Sequence, residues 1–236
     1  YEDFITIAPT VDGFSAFVSE DGLELSIYGN FAPDTNYAIE LAAKLKDQWE
    51  QSLGDPYIYN FRTEPMPATL NLQSIGTSTI FVRPDEPVLY ADAVNVQKAD
   101  VEVAPLSLQD FFSLQSSYEN QQAYVPTNAS TFSQTINPLP SVRQDVKINL
   151  TQQNNQLLPG LYYVNATSPQ IQLSSKVVNF VVSSQVNLTF KRGATEAFIW
   201  AVDLPSQTPI ANASVVIYDN AGNQLGSGIT DASGIW

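Results

Sequence analysis

The chain has 236 residues, room for two domains or three small ones at roughly 100–150 residues each, and carries 24 acidic against 10 basic residues for a net charge of −14. It contains no histidine and no cysteine, which excludes Ser-His and Cys-His nucleophilic catalysis, Cys/His zinc sites, iron–sulfur clusters and disulfides within it. The acids are scattered and no Lys/Arg cluster is present to grip phosphate, so neither nucleic acid nor an anionic lipid surface is an expected partner.

In chain order, residues 4–7, 23–28 and 37–41 alternate apolar and polar at period two and predict strands. Asp12-Gly13, Asp21-Gly22 and Pro33-Asp34 punctuate them, and Asp21-Gly22 predicts a tight hairpin. Residues 42–53 are expected to make one or two helical turns near Trp49, and this first unit ends near Arg62. Thr63-Glu64-Pro65-Met66-Pro67 is a stiff linker, because its two prolines favour an extended path. The second unit offers strands at 69–72, 79–82, 88–91, 99–103, 145–150, 161–166 and 177–182. Within it, Leu108, Phe111, Phe112 and Leu114 fall at helical spacing and predict a short amphipathic helix over 106–114, then a long polar loop over 115–141. A third unit has strands at 186–190, 197–202, 213–218 and 225–229, with Asn220-Ala221-Gly222-Asn223 as the turn of its last hairpin. Thr230-Asp231-Ala232-Ser233-Gly234 is a further turn that leads into another strand. Strands recurring every 8–12 residues without βα alternation define an all-β protein of antiparallel sandwiches in series: 1–62, 63–184 and 185–236.

No apolar run approaches the ~20 residues a spanning helix needs. With 14% charged residues and polar bulk supplied by Ser, Thr, Asn and Gln, the balance is that of an extracellular β-protein. The expected location is therefore secreted, periplasmic or cell-surface. Tyr1 is not an initiator Met and Trp236 directly follows a turn, so the chain is expected to be a segment, its first unit shortened at the start, its third at the end, and its export signal elsewhere.

Several residues invite a chemical role, each with a plainer alternative. Asp85-Glu86 and Glu20-Asp21 pair acids, yet hydrolysis needs two carboxylates set across a cleft or sharing a proton; solvated turn acids are the expectation. Asp92, Asp100, Asp203 and Asp231 sit at strand ends, as in calcium-bridged β-arrays, without the dense Asx-Gly cluster of a calcium loop. Tyr57, Tyr59 and Phe61 alternate on one strand face and could stack on a sugar; a core wall or domain interface is expected, as for Phe198 and Trp200. Lys191-Arg192 reads as a solvated strand end. Five Asn-x-Ser/Thr sequons begin at Asn128, Asn149, Asn165, Asn187 and Asn212, only slightly more than chance supplies. No residue is expected to be catalytic, to bind a cofactor or to ligate a metal, and no cofactor is expected.

The third unit runs Asn187-Leu188-Thr189-Phe190-Lys191-Arg192-Gly193, then Phe198-Ile199-Trp200-Ala201-Val202-Asp203-Leu204, Thr208-Pro209-Ile210-Ala211-Asn212-Ala213-Ser214-Val215 and Gly228-Ile229-Thr230-Asp231-Ala232-Ser233-Gly234. This course resembles a macroglobulin sandwich of the bacterial alpha-2-macroglobulins. Ser206-Gln207-Thr208-Pro209 departs from it, where many relatives have a Gly-Lys-Pro turn. Ala91-Asp92-Ala93-Val94-Asn95-Val96 with Val101-Glu102-Val103, and Pro159-Gly160-Leu161-Tyr162-Tyr163-Val164, look like the opening and closing of the sandwich before it. The first unit, with Ile7-Ala8-Pro9, Leu25–Pro33 and Thr35-Asn36-Tyr37, is similar to the bacterial Ig-like module that often lies upstream. Tandem Ig-like and macroglobulin-type sandwiches are therefore expected.

The resemblance implies a mechanism outside these residues. In the family a protease cuts a bait segment and the protein collapses around it; many members then bond it through a Cys–Gln thioester. Without a cysteine this chain cannot hold that thioester, and it shows no recognisable bait. The reading is a non-catalytic scaffold segment of a broad-spectrum protease inhibitor, with proteases as partners of the full-length protein and neighbouring domains as partners of this segment. The alternatives are an Ig-like spacer array of a bacterial surface adhesin or cell-wall protein, and an accessory region of an exported hydrolase.

Overall fold

The computed structural model describes residues 1–73, 79–171, 176–194 and 196–236. Two units emerge: one formed by Tyr1–Pro67 with Leu139–Val142, the other by Ala68–Pro138 with Arg143–Trp236.

The first unit is a small two-sheet β-structure. Strands β1 (Ile5–Ala8), β4 (Asn36–Leu41) and β5 (Tyr57–Arg62) form an antiparallel sheet in the order β1-β4-β5, and β2 (Asp12–Val18) pairs with β3 (Leu25–Asn30). Asp21-Gly22 does lie in the β2–β3 hairpin, but in a longer connection over 19–24 rather than a tight turn, Val18 pairing with Leu25: the Asp21 carboxylate accepts from the Ser19 hydroxyl (2.5 Å) and the Leu23 N–H (3.1 Å), and Gly22 supplies φ +70°. β2 is a strand that Asp12-Gly13 concealed. That pair begins the strand rather than ending one, with Gly13 at φ +66° and a bulge between Asp12 and Ser15. Only Ile5, Tyr37 and Ile39 are buried apolar residues here, a small core for a unit of this length.

The helical turns expected over 42–53 are absent. Asp47 Oδ1 takes the N–H groups of both Trp49 and Gln51 at 2.9 Å, and Glu50 adopts φ +66°. A carboxylate that captures nearby backbone donors competes with helical bonding. The segment folds back instead through a bridge between Lys46 and Ser52.

The second unit is built on a sandwich. Its five-stranded sheet runs β10 (Ser130–Thr135), β9 (Lys98–Pro105), β12 (Gly160–Thr167), β13 (Asn179–Ser183), β7 (Thr79–Val82); the facing sheet runs β11 (Gln144–Asn149), β8 (Val88–Val94), β6 (Thr69–Leu72). All pairs are antiparallel except β13–β7, which is parallel. Period-two alternation places Leu89, Ala91, Val101, Val103, Ile148, Val164 and Val181 in the core between the sheets.

The other face of the larger sheet is covered by α1 (Leu108–Ser116). Ser107 caps it, its hydroxyl accepting the Asp110 N–H at 3.0 Å. Leu114 then packs with Ala104, Leu106, Tyr163 and Phe180, and Phe111 meets Phe180 edge to face at 5.1 Å. The polar span 115–141 is not one loop. It contains α2 (Tyr118–Ala123), capped by Ser117, and the edge strand β10. Both are too polar to show a hydrophobic period; Ser117 was the one local signal.

After β13 the chain enters β14 (Val186–Arg192), β15 (Ala197–Asp203) and the two-residue β16 (Thr208–Pro209), a sheet in that order, and a β17 (Ser214–Tyr218)–β18 (Gln224–Ile229) hairpin. Residues 234–236 run beside β15, with Ile199 and Trp236 exchanging backbone hydrogen bonds at 2.8 and 3.0 Å. The expected burial of Phe198 and Trp200 is reversed: Ile199 and Ala201 are 6% and 1% exposed, whereas Trp200 is 41% exposed. The Trp200 indole instead caps the closing turn, donating to the Ser233 carbonyl at 3.1 Å.

Candidate functional site

The acids singled out in the sequence are dispersed and locally spent. Arg83 binds both members of the Asp85-Glu86 turn, at 3.1 and 3.4 Å, with all three side chains exposed. Asp21 organises its hairpin, and the Ser19 hydroxyl, then the Leu23 N–H, hold its carboxyl below the usual range. Asp92 stands opposite Asp145 on the β8–β11 ladder, and the Gln73 amide donates to both, at 3.4 and 2.7 Å. Asp100 is held low by the Ser133 hydroxyl at 2.5 Å and then by Lys98 at 2.9 Å. Asp203 is held low by the Ser206 side chain and backbone. Among the described residues no three Asp or Glu side chains converge to hold a metal ion.

The aromatic row of β5 forms a core wall only at Phe61, which stacks on the buried Tyr37. Tyr37, Phe61 and Tyr59 stack in near-parallel succession, at 5.6 and 5.8 Å and 22° and 21°. Tyr37 is buried, but Tyr57 and Tyr59 are each 54% exposed. Lys191 and Arg192 lie at the exposed end of β14.

The Thr-Asp-x-x-Gly turn is a built feature, each motif residue having a task. Thr230 is buried; its hydroxyl donates to the Ile210 carbonyl at 2.6 Å and accepts the Ala213 N–H at 2.9 Å. Asp231 Oδ1 accepts the N–H groups of Ser233 and Ile235 at 2.8 and 3.0 Å. Gly234 sits at φ +73°, where a Cβ would lie 2.5 Å from the Ala201 carbonyl oxygen. The motif thereby ties the chain before β17, the turn and β15 together.

A second built feature was not legible in the sequence. The β17–β18 turn meets α1: the Phe112 ring lies 5.6 Å from Tyr218, and a Cβ on Gly222 would stand 2.9 Å from Phe112 Cδ2. The Asp219 carboxylate shapes this turn by accepting the N–H groups of Ala221 and Asn223 at 2.9 and 2.8 Å and the Asn223 side-chain amide at 2.9 Å.

One buried polar position stands out beneath α1. The Tyr163 hydroxyl and Asn165 Oδ1 are enclosed without a hydrogen-bond partner among the described residues. Burial pushes the Tyr163 phenol up to about 12, and the Glu102 carboxylate, near but outside hydrogen-bonding geometry, adds to the shift.

No family model and no curated protein sequence matches the chain. Solved structures do. A crystal structure of native alpha-2-macroglobulin from Escherichia coli spanning domains MG0-NIE-MG1 superposes on the whole chain, with a TM-score of 0.65, 16% identity and 78% of that chain covered. Salmonella alpha-2-macroglobulin reacted with methylamine aligns with 99% of this chain at TM-score 0.68 and 16% identity. The E. coli segment NIE-MG1 aligns with 72% of the chain at TM-score 0.55 and 18% identity. The fold is thus that of tandem sandwiches found in the N-terminal region of bacterial alpha-2-macroglobulins. The chain spans 14% of the Salmonella protein's length. Among the described residues no helix is long and apolar enough to cross a membrane.

Proposed function

We propose that this chain is a non-catalytic scaffold segment of a bacterial alpha-2-macroglobulin, a broad-spectrum inhibitor that traps attacking proteases. The reading rests on one observation: the entire chain, in order, aligns with the three-domain E. coli segment. On this reading residues 1–62, 63–184 and 185–236 are three successive sandwiches. The third is folded together with the second into one compact unit. The protein acts in the periplasm, at the cell surface or outside the cell, where foreign proteases are met. Its protease contacts belong to the full-length protein, and the segment's own partners are the neighbouring domains. The dispersal of the acids and the absence of histidine and cysteine support a structural role over an enzymatic one.

The test is a protease-protection assay on the full-length gene product. Incubated in excess with a panel of endoproteases, it should block digestion of a large protein substrate while leaving cleavage of a small chromogenic peptide intact. The 236-residue segment alone should leave both substrates cleaved. A full-length product that consists of near-identical sandwiches and an anchoring motif, and that leaves proteases untouched, would replace this reading with that of a surface spacer array.

A further inference from the structure

We infer that α1 is a latch: the Phe112 ring, seated on Gly222, locks the β14–β18 portion of the second unit onto its β6–β13 sandwich. The inference does not depend on the family reading. Covalently the two portions are joined only through Ser184 and Gln185, between β13 and β14. So short a connection limits separation but leaves backbone torsions free to swing the β14–β18 portion, so a second point of attachment is needed to fix orientation.

The latch geometry supplies that second point. On its inner side α1 is anchored through Leu114 and through the Phe111–Phe180 contact at 5.1 Å. On its outer side the adjacent residue, Phe112, faces Tyr218 at 5.6 Å and overlies Gly222. Two consecutive phenylalanines thus serve two different bodies. Gly222 is needed twice over: it holds φ +85°, and any side chain would enter the Phe112 ring. The Asp219 carboxylate fixes the turn so that Gly222 presents bare backbone. The contact is thin. A groove of about 520 Å³, lined by Leu108, Gln109, Phe112, Ser113, Tyr218 and Gly222, opens along it. A seat this small is enough to set an orientation and little enough to release.

The chain has no cysteine, so Thr135→Cys on β10 and Ser227→Cys on β18, both exposed, can carry a single pair of spin labels on the 236-residue chain. Pulsed dipolar spectroscopy should return one narrow distance in the otherwise unaltered chain. Phe112→Ala should broaden it and add longer distances, and Phe112→Leu should restore part of the narrowing. Gly222→Ala should also broaden it, and should add nothing further in the Phe112→Ala background, because the contact is already lost there. A distribution that stays narrow in both Phe112→Ala and Phe112→Leu would overturn the latch and assign the fixed orientation to the Ser184-Gln185 connection. So would a Gly222→Ala effect of equal size with and without Phe112, which would place the cause in the turn backbone. Should Phe112→Ala fail to fold, Phe112→Leu and Gly222→Ala decide by the same criteria.

Discussion

The Trp236 indole lies against Gly228: a Cβ built on that glycine would stand 1.8 Å from Trp236 Nε1. Gly226, two residues back on the same face of β18, would bring a Cβ to 3.5 Å of the same ring. Two glycines in a strand weaken it by themselves; here their bare backbone makes room for a large aromatic.

Gly228→Ala should therefore destabilise the β14–β18 portion by about 1–3 kcal/mol, the usual cost of overfilling a packed site. Gly226→Ala, at ordinary contact distance, should cost clearly less. Urea denaturation monitored by tryptophan fluorescence compares the two; equal effects would show that the indole does not occupy the position described.

Thr230→Val keeps the shape and removes the hydroxyl. It leaves the Ala213 N–H and the Ile210 carbonyl without the partner they have now, and a loss of about 1–3 kcal/mol is expected. Thr230→Ser, which keeps both bonds and removes a methyl group, should recover most of this. The measurement is the midpoint shift in chemical denaturation at unchanged slope.

Tyr163 predicts a specific alkaline weakness. Its folded pKa of about 12 lies above the ordinary phenol value of 10.0, so above pH 10 the unfolded chain releases this proton more readily than the folded one. The stabilisation is intact below pH 10 and is lost as pH rises through 12, by at most about 1.4 kcal/mol per pH unit. Tyr163→Phe removes a buried hydroxyl that has no partner among the described residues and should be neutral or slightly stabilising at pH 7. Its denaturation midpoint should also fall less steeply between pH 10 and 12; an unchanged slope would remove Tyr163 as the cause.

Backbone amide exchange should be faster in β17 and β18 than in β13. The hairpin is a two-stranded sheet, whereas β13 lies between β12 and β7 with Phe180 and Val181 buried, and opening costs scale with such burial. Equal protection in a monomer would show that the third portion is as stable as the sandwich before it.

Legibility in the sequence depended on how strongly each local pattern constrains the chain. A short run rich in aromatic and β-branched residues, as at 161–166 or 197–202, announces a strand whatever packs on it, so the all-β class was legible. The face was not always so. Phe198-Ile199-Trp200-Ala201-Val202 is apolar at both parities, and side-chain size pointed to the two aromatics, whereas packing chose Ile199 and Ala201. The helix at 42–53 failed because Asp47 takes the donors a helix would use. The polar α2 and β10 carried almost no periodic signal. Gly222 was legible as a turn residue and invisible as a seat for Phe112, since nothing local links positions so far apart in the chain.

Residues Leu139–Val142 fold with the first unit although Pro138 and Arg143, on either side, belong to the second. Met66 and Ser141 meet there, the Met66 N–H donating to Ser141 Oγ at 3.2 Å. The polypeptide therefore crosses between the units three times, and cleavage within the Thr63–Pro67 linker leaves part of the first unit, Leu139–Val142, on the C-terminal piece. A recombinant product begun at Ala68 would carry a fragment of the missing unit with it, Leu139 and Val142 included, deprived of the surroundings it folds against. In genetic terms the first unit is discontinuous: an insertion or swap meant to replace it has to exchange two stretches of the gene together.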